Sequence, residues 1–159
     1  MKKVNVYKLM SLIIISIILY NMIYFIDNIK PYKINIDGIG VKNNKISYFI
    51  DEFQYGYLNS IFIRGWAFEK DINNNRVKYT IICKNINTEN VYAIKTFSEK
   101  RIDVTENIND GYNYNFCGFN GRIIKFMLPE KGEYQILILF EQNNKKYLIE
   151  TPYSFYNKY

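Results

Sequence analysis

The chain has 159 residues, enough for one domain and little else. Asn, Ile, Lys and Tyr make up 81 of them, a bias that A/T-rich coding also produces, so one more Lys, Asn or Tyr carries no weight. There is no histidine and only two cysteines, 34 positions apart, which excludes the usual structural zinc site and the commonest general base. The charge of +6 is scattered, with no basic stripe of the kind nucleic acid requires.

Residues 9–26, LMSLIIISIILYNMIYFI, carry no charge. A helix of this length spans about 27 Å, close to the hydrocarbon thickness of a bilayer. Lys2, Lys3 and Lys8 precede it, no A-x-A cleavage site follows it, and no cysteine stands nearby to take a lipid. The run is expected to be an uncleaved signal anchor, a single transmembrane helix with residues 1–8 in the cytoplasm. Lys30 and Lys33 oppose that orientation weakly. The rest of the chain is then extracytoplasmic, with 18 basic and 14 acidic residues over 28–159. Residues 27–45, which include Pro31, Gly38 and Gly40, read as a stalk with one short strand around Ile34–Ile36.

From residue 46 to 159 the apolar period is two. In IFIRGWAFEK, 61–70, Ile61, Ile63, Gly65 and Ala67 share one face, and Phe62, Arg64, Trp66 and Phe68 the other. VKYTIICK (77–84), VYAIKTF (91–97), RIIKFML (122–128) and YQILILF (134–140) are further strands. KKYLIE (145–150) closes a hairpin with the last of these across EQNN. SEKRIDVTENIND offers at most a short turn of helix. The pattern predicts an all-β domain, an antiparallel β-sandwich, Ig-like or jelly-roll-like, of a size that can hold its own core.

Residues 98–121 hold the richest motifs. Ile63-Arg64-Gly65-Trp66-Ala67-Phe68, Arg101-Ile102-Asp103-Val104-Thr105, Gly118-Phe119 and Gly132-Glu133-Tyr134-Gln135-Ile136 form an ordered set. The set resembles a bacterial membrane-anchored β-sandwich domain that occurs alone or appended to cell-envelope glycosyltransferases and polysaccharide-assembly proteins. That pattern usually has proline where Ile102 stands. The resemblance covers roughly 50–150 and implies a non-catalytic accessory domain, with no catalytic residue to carry over.

The residues themselves leave alternatives. Trp66, with Gly65, Phe68, Gly118 and Phe119, is expected to build the core between the sheets, Gly65 making room. The other reading of Trp66 is a sugar-stacking platform. Arg101 and Asp103 are either a structural ion pair or a ligand pair, guanidinium to anion and carboxylate to hydroxyls. Tyr112 and Tyr114, alternating with Asn113 and Asn115, make the best sugar-binding stretch if both rings are exposed. Cys83 and Cys117 are either two buried thiols or a disulfide closing a long loop.

The function expected is a recognition module at the cell surface, contacting envelope polysaccharide or its assembly machinery. A scaffold for another membrane protein is the second reading. A small hydrolase using Asp103 with Glu106 or Asp110 is the third, although no nucleophile motif accompanies those carboxylates. No cofactor, metal or nucleic-acid partner is expected.

Overall fold

The structure, a computed structural model, describes residues 6–41, 45–75 and 77–159. The chain divides after Lys30 into two units.

The first unit is helix α1 (Val6–Ile29). Its side chains over 8–24 are all exposed, and apolar residues lie all round it. The polar residues of the run bond back into the helix. Ser11 Oγ donates to the Lys8 carbonyl, Ser16 Oγ to that of Leu12, and Asn21 Nδ2 to that of Ile17, at 2.7–2.9 Å. Among the described residues no helix is long and apolar enough to cross a membrane. The anchor expected over 9–26 is therefore present as a helix and not established as a span. Lys2 and Lys3 lie outside the described residues.

The second unit, Pro31–Tyr159, is built from two sheets. The larger has the order β1 (Tyr32–Lys33), β6 (Val91–Ile94), β5 (Val77–Asn85), β9 (Gly132–Gln142), β10 (Lys145–Asn157), β2 (Gly40–Val41). The smaller has the order β3 (Ile46–Gly56), β4 (Ser60–Glu69), β8 (Gly118–Ile124), β7 (Thr96–Glu99). All neighbours are antiparallel except β10 with β2. The expected antiparallel β architecture is present.

The core lies between the sheets. Ile61, Ile63 and Ala67 of β4 meet Tyr79, Ile81 and Cys83 of β5 and Ile136, Ile138 and Phe140 of β9. On β4 the inward face is that of Ile61, Ile63 and Ala67, and not the face of Trp66 expected to build the core. Ring contacts knit the layer: Tyr79 lies 5.3 Å from Phe119 and 5.8 Å from Phe140. The buried Tyr79 hydroxyl donates to the Ala67 carbonyl at 2.6 Å, so its polar end is satisfied.

Several expectations need correction. The stalk is one. Ile34, Ile36 and Ile39 pack on Ile82, Val91, Leu137, Leu139 and Leu148, the face of the larger sheet turned away from the core. β1 pairs at one edge of that sheet and β2 at the other, so 34–39 straps across it. The strand expected at 34–36 is instead two short strands flanking the strap.

VYAIKTF is another. Its first half stays in the larger sheet as β6, and the chain changes sheets at Lys95 to become β7. Thr96 Oγ1 marks the corner, donating to the Ile94 carbonyl at 2.9 Å and accepting from Ile81 N–H at 2.8 Å. The strand expected over 122–128 begins four residues earlier, at Gly118, and ends in a 3₁₀ turn, Lys125–Met127, ahead of Pro129. The hairpin expected across EQNN is present, its turn made by left-handed Asn143 and Asn144.

A seven-residue helix, α2 (Ile102–Ile108), follows β7, with Asp103 in its first turn. Ile102 is its first residue, the helical position most tolerant of proline.

Candidate functional site

The outward face of the smaller sheet gathers most of the singled-out residues. β4 sends Phe62, Arg64, Trp66 and Phe68 to this face. Register sets Phe49 beside Trp66 on one side and Gly118 on the other, and Glu52 and Asn120 on either side of Arg64. Phe97 pairs with Asn120, and Glu99 with Gly118.

Trp66 therefore does not enter the core between the sheets. The expected core motif divides by strand parity. Gly65 and Phe119 face inward, while Trp66, Phe68 and Gly118 face outward. The half-buried Trp66 belongs to a second cluster with Phe68, Val104, Tyr114, Cys117 and Ile108, made where α2 and the 109–117 loop cover one end of the outer face.

The result is a row of rings. Phe49 and Trp66 are 6.2 Å apart, Trp66 and Phe68 5.5 Å, Phe68 and Tyr114 4.0 Å, and Tyr114 and Tyr112 6.4 Å, with interplanar angles of 20–31°. The ends emerge: Phe49 is 57 % exposed and Tyr112 38 %. Tyr114 is fully buried, so YNYN is not the two-ring exposed patch expected of it. Its hydroxyl donates to Asp110 Oδ2 at 2.8 Å and accepts from Asp71 N–H at 3.2 Å. Burial, reinforced by Asp110, pushes the phenol up to about 12.

Beside the rings runs a lattice of charges. Arg64 grips Glu99 through two nitrogens, at 2.9 and 2.5 Å, and reaches Glu52 at 3.3 Å. Arg101 holds Asp103 at 2.9 and 2.7 Å and also bonds Asp51. The Arg101 stem lies over Gly118, where a Cβ would come within 2.6 Å of its Cγ. Glycine is therefore required for the guanidinium to lie over the sheet.

Asp51 and Glu52 would point to opposite faces of a regular strand. A β-bulge between Ile50 and Glu52 turns both toward the arginines. The partners act on one another's protonation. Hydrogen bonds from Arg64 hold Glu99 below its ordinary value, and those from Arg101 do the same for Asp103. Both guanidinium groups are pushed up by the same contacts.

Arg101 and Asp103 are thus brought together with Asp51, in a six-member arrangement whose other half, Arg64, Glu52 and Glu99, the motif reading missed. The alternation of β4 already placed Arg64 on the Trp66 face. No sequence signal pairs it with Glu99, which arrives only because the chain changes sheets at Lys95. Arg101 holds the Asp103 carboxyl low, which suits an ionised carboxylate and not a proton donor, and Asp110 accepts from the Tyr114 hydroxyl and from Tyr112 N–H. Among the described residues no cluster of metal-ligating side chains occurs.

Cys83 and Cys117 are both buried and free. Cys83 belongs to the core between the sheets and Cys117 to the cluster on the outer face. The bridge is absent because the two thiols face different layers. Burial pushes the Cys117 thiol up to about 12 and raises that of Cys83 as well.

No family model, curated protein or solved structure matches this chain.

Proposed function

We propose that the chain is a membrane-anchored, non-catalytic recognition module of the cell envelope, and that the outward face of the smaller sheet contacts polysaccharide. The observation that carries this reading is the pair of exposed Phe49 and half-buried Trp66, with ring centres 6.2 Å apart, beside two arginines fixed by carboxylates. A sugar ring offers C–H bonds on its faces and hydroxyls at its rim. Aromatic faces suit the first, and held carboxylate and guanidinium groups suit the second. The Arg64 and Arg101 lattices are pre-oriented, so little side-chain freedom is lost on contact.

The anchor rests on the charge-free run 9–26, on a backbone helix of 24 residues, Val6–Ile29, and on apolar side chains all round it. A helix apolar on every side needs a core or a bilayer to cover it. Its serines and Asn21 bond within the helix, which suits a surrounding without water. The expected orientation has the sandwich outside the membrane.

Two tests apply. Phe49→Ala and Phe97→Ala, at exposed positions, should leave the melting temperature nearly unchanged and weaken glycan binding several-fold. Normal glycan binding by both variants removes this face from the reading. For the anchor, the full chain should resist alkaline extraction from membranes. Its release by alkali contradicts the anchor without touching the glycan site.

A further inference from the structure

The tip of the β3–β4 hairpin is built against backbone preference. Ser60 N–H donates to the Tyr57 carbonyl, closing a turn over Tyr57–Asn59 in which Leu58 (φ 56°, ψ 35°) and Asn59 (φ 52°) are both left-handed. Such primed turns favour asparagine and glycine at both central places, and a leucine there carries a steric cost. Among the described residues the other non-glycine left-handed positions are Asp, Glu or Asn; Leu58 alone is apolar. Burial does not compensate it: Leu58 is 79 % and Tyr57 94 % exposed. Strain of this kind points to a use of the side chain outside the isolated domain.

The neighbourhood shares the character. Tyr55, Phe126, Tyr156 and Tyr159 are each at least half exposed. Asn59 Nδ2 donates to the Tyr159 hydroxyl at 2.5 Å. Lys125 Nζ donates to the Tyr156 carbonyl at 3.2 Å and lies 5.8 Å from the centre of the Tyr55 ring. Register pairs Ser60 with Ile124, which sets the Lys125–Met127 turn beside the tip. Arg122 reaches Ser60 Oγ at 3.3 Å, and Lys158 is exposed next to Tyr159. Glu133, opposite Tyr156 in the register, accepts from Ser154 Oγ at 2.8 Å.

We propose that this end of the sandwich docks on an anionic lipid surface, with Leu58 and Tyr57 entering the headgroup region. The patch is a protruding knob and not a groove, which suits a deformable surface. Rings with hydroxyls flanked by Arg122, Lys125 and Lys158 are the composition of a membrane-interface belt. The three cations complement acidic headgroups.

Fragment 31–159 carries its whole core and serves for the test. It is sedimented with phosphatidylglycerol-containing vesicles and with pure phosphatidylcholine vesicles, as wild type and as Leu58→Asn. Asparagine suits the left-handed position, so this variant keeps or raises the melting temperature while losing the apolar side chain. The wild type should bind the anionic vesicles, more weakly as salt rises, and bind phosphatidylcholine less. Leu58→Asn should bind the anionic vesicles about tenfold more weakly or worse, from the loss of a buried leucine. Failure of the wild type to sediment with either vesicle overturns the proposal, as a protein partner with a groove for Leu58 would produce. So does undiminished binding by Leu58→Asn, or equal binding to both vesicles.

Discussion

Gly65 and Phe119 stand opposite each other on β4 and β8, and the phenylalanine ring occupies the space that a side chain at 65 would need. A Cβ at 65 would lie 3.1 Å from Phe119 Cζ and 2.4 Å from the Phe49 carbonyl oxygen. The second contact is with backbone of the neighbouring strand, which cannot rotate away. Gly65→Ala should therefore destabilise the domain by about 1–3 kcal/mol or more, the range for overpacking. Urea denaturation measures it, and an unchanged midpoint would show that β3 moves aside freely.

Trp66 and Phe119 sit on opposite sides of the same sheet, and their truncations should differ accordingly. Phe119 is fully buried between the sheets, so Phe119→Ala should cost about 3–5 kcal/mol. Trp66→Ala removes a half-buried ring from an outer row and should cost clearly less, leaving the domain folded. Equal losses in the two denaturation curves would return Trp66 to the core.

The strap makes a fragment boundary testable. A fragment beginning at residue 31 keeps Ile34, Ile36 and Ile39 over Leu137, Leu139 and Leu148. One beginning at residue 46 bares that face, a large exposed apolar patch of the kind that aggregates. The longer fragment should be monomeric and cooperative in unfolding, and the shorter should melt lower and associate. Size-exclusion chromatography with a thermal melt compares them. Identical behaviour would mean that the strap is dispensable.

Stability should fall at both ends of the pH range. Burial holds Cys117 and Tyr114 protonated up to about 12, against 9.0 and 10.0 for free groups. The unfolded chain loses these protons first, so their contribution is full below pH 9 and lost as pH rises toward 12. Glu99, Asp103 and Glu130 are held low, Glu130 chiefly by hydrogen bonds from Thr88, Tyr92 and Asn90. Their contribution is full above the ordinary carboxylate value near 4.5 and lost as pH falls below it. Melting temperature against pH should show a plateau between these limits, and Glu130→Gln should flatten the acid limb. A melting temperature that climbs from pH 9 to 11 would contradict the burial of Cys117 and Tyr114.

Period two in β4 sorted Ile61, Ile63 and Ala67 from Phe62, Trp66 and Phe68. β5 and β9 are apolar on both faces, at Ile81 and Ile82 and over Ile136, Leu137, Ile138 and Leu139, because the strap covers the far side. The period could not say whether the Trp66 face of β4 turned inward or outward. Phe62, Trp66 and Phe68 are as apolar a stripe as Ile61, Ile63 and Ala67, and alternation separates faces without telling which one meets the other sheet. The covering of Phe68 depends on α2 and the 109–117 loop, which are brought there by β7. That strand is formed only because the chain turns at Lys95 inside a run that reads as one strand. The pairing of Asp51 with Arg101 was hidden for a similar reason, since it needs a bulge that leaves no mark in the residue pattern. Ile34 and Ile36 carried a faint signal of the strap, diluted by Pro31, Gly38 and Gly40.

The most direct test of the proposed glycan face uses the single tryptophan. Fluorescence of fragment 31–159 should show emission intermediate between buried and solvated, partly quenched by acrylamide. Addition of one class of envelope polysaccharide should shift that emission and protect it from acrylamide. Emission that is partly quenched but indifferent to every envelope glycan, with the fragment folded, would contradict the assignment of the Trp66 face to sugar recognition.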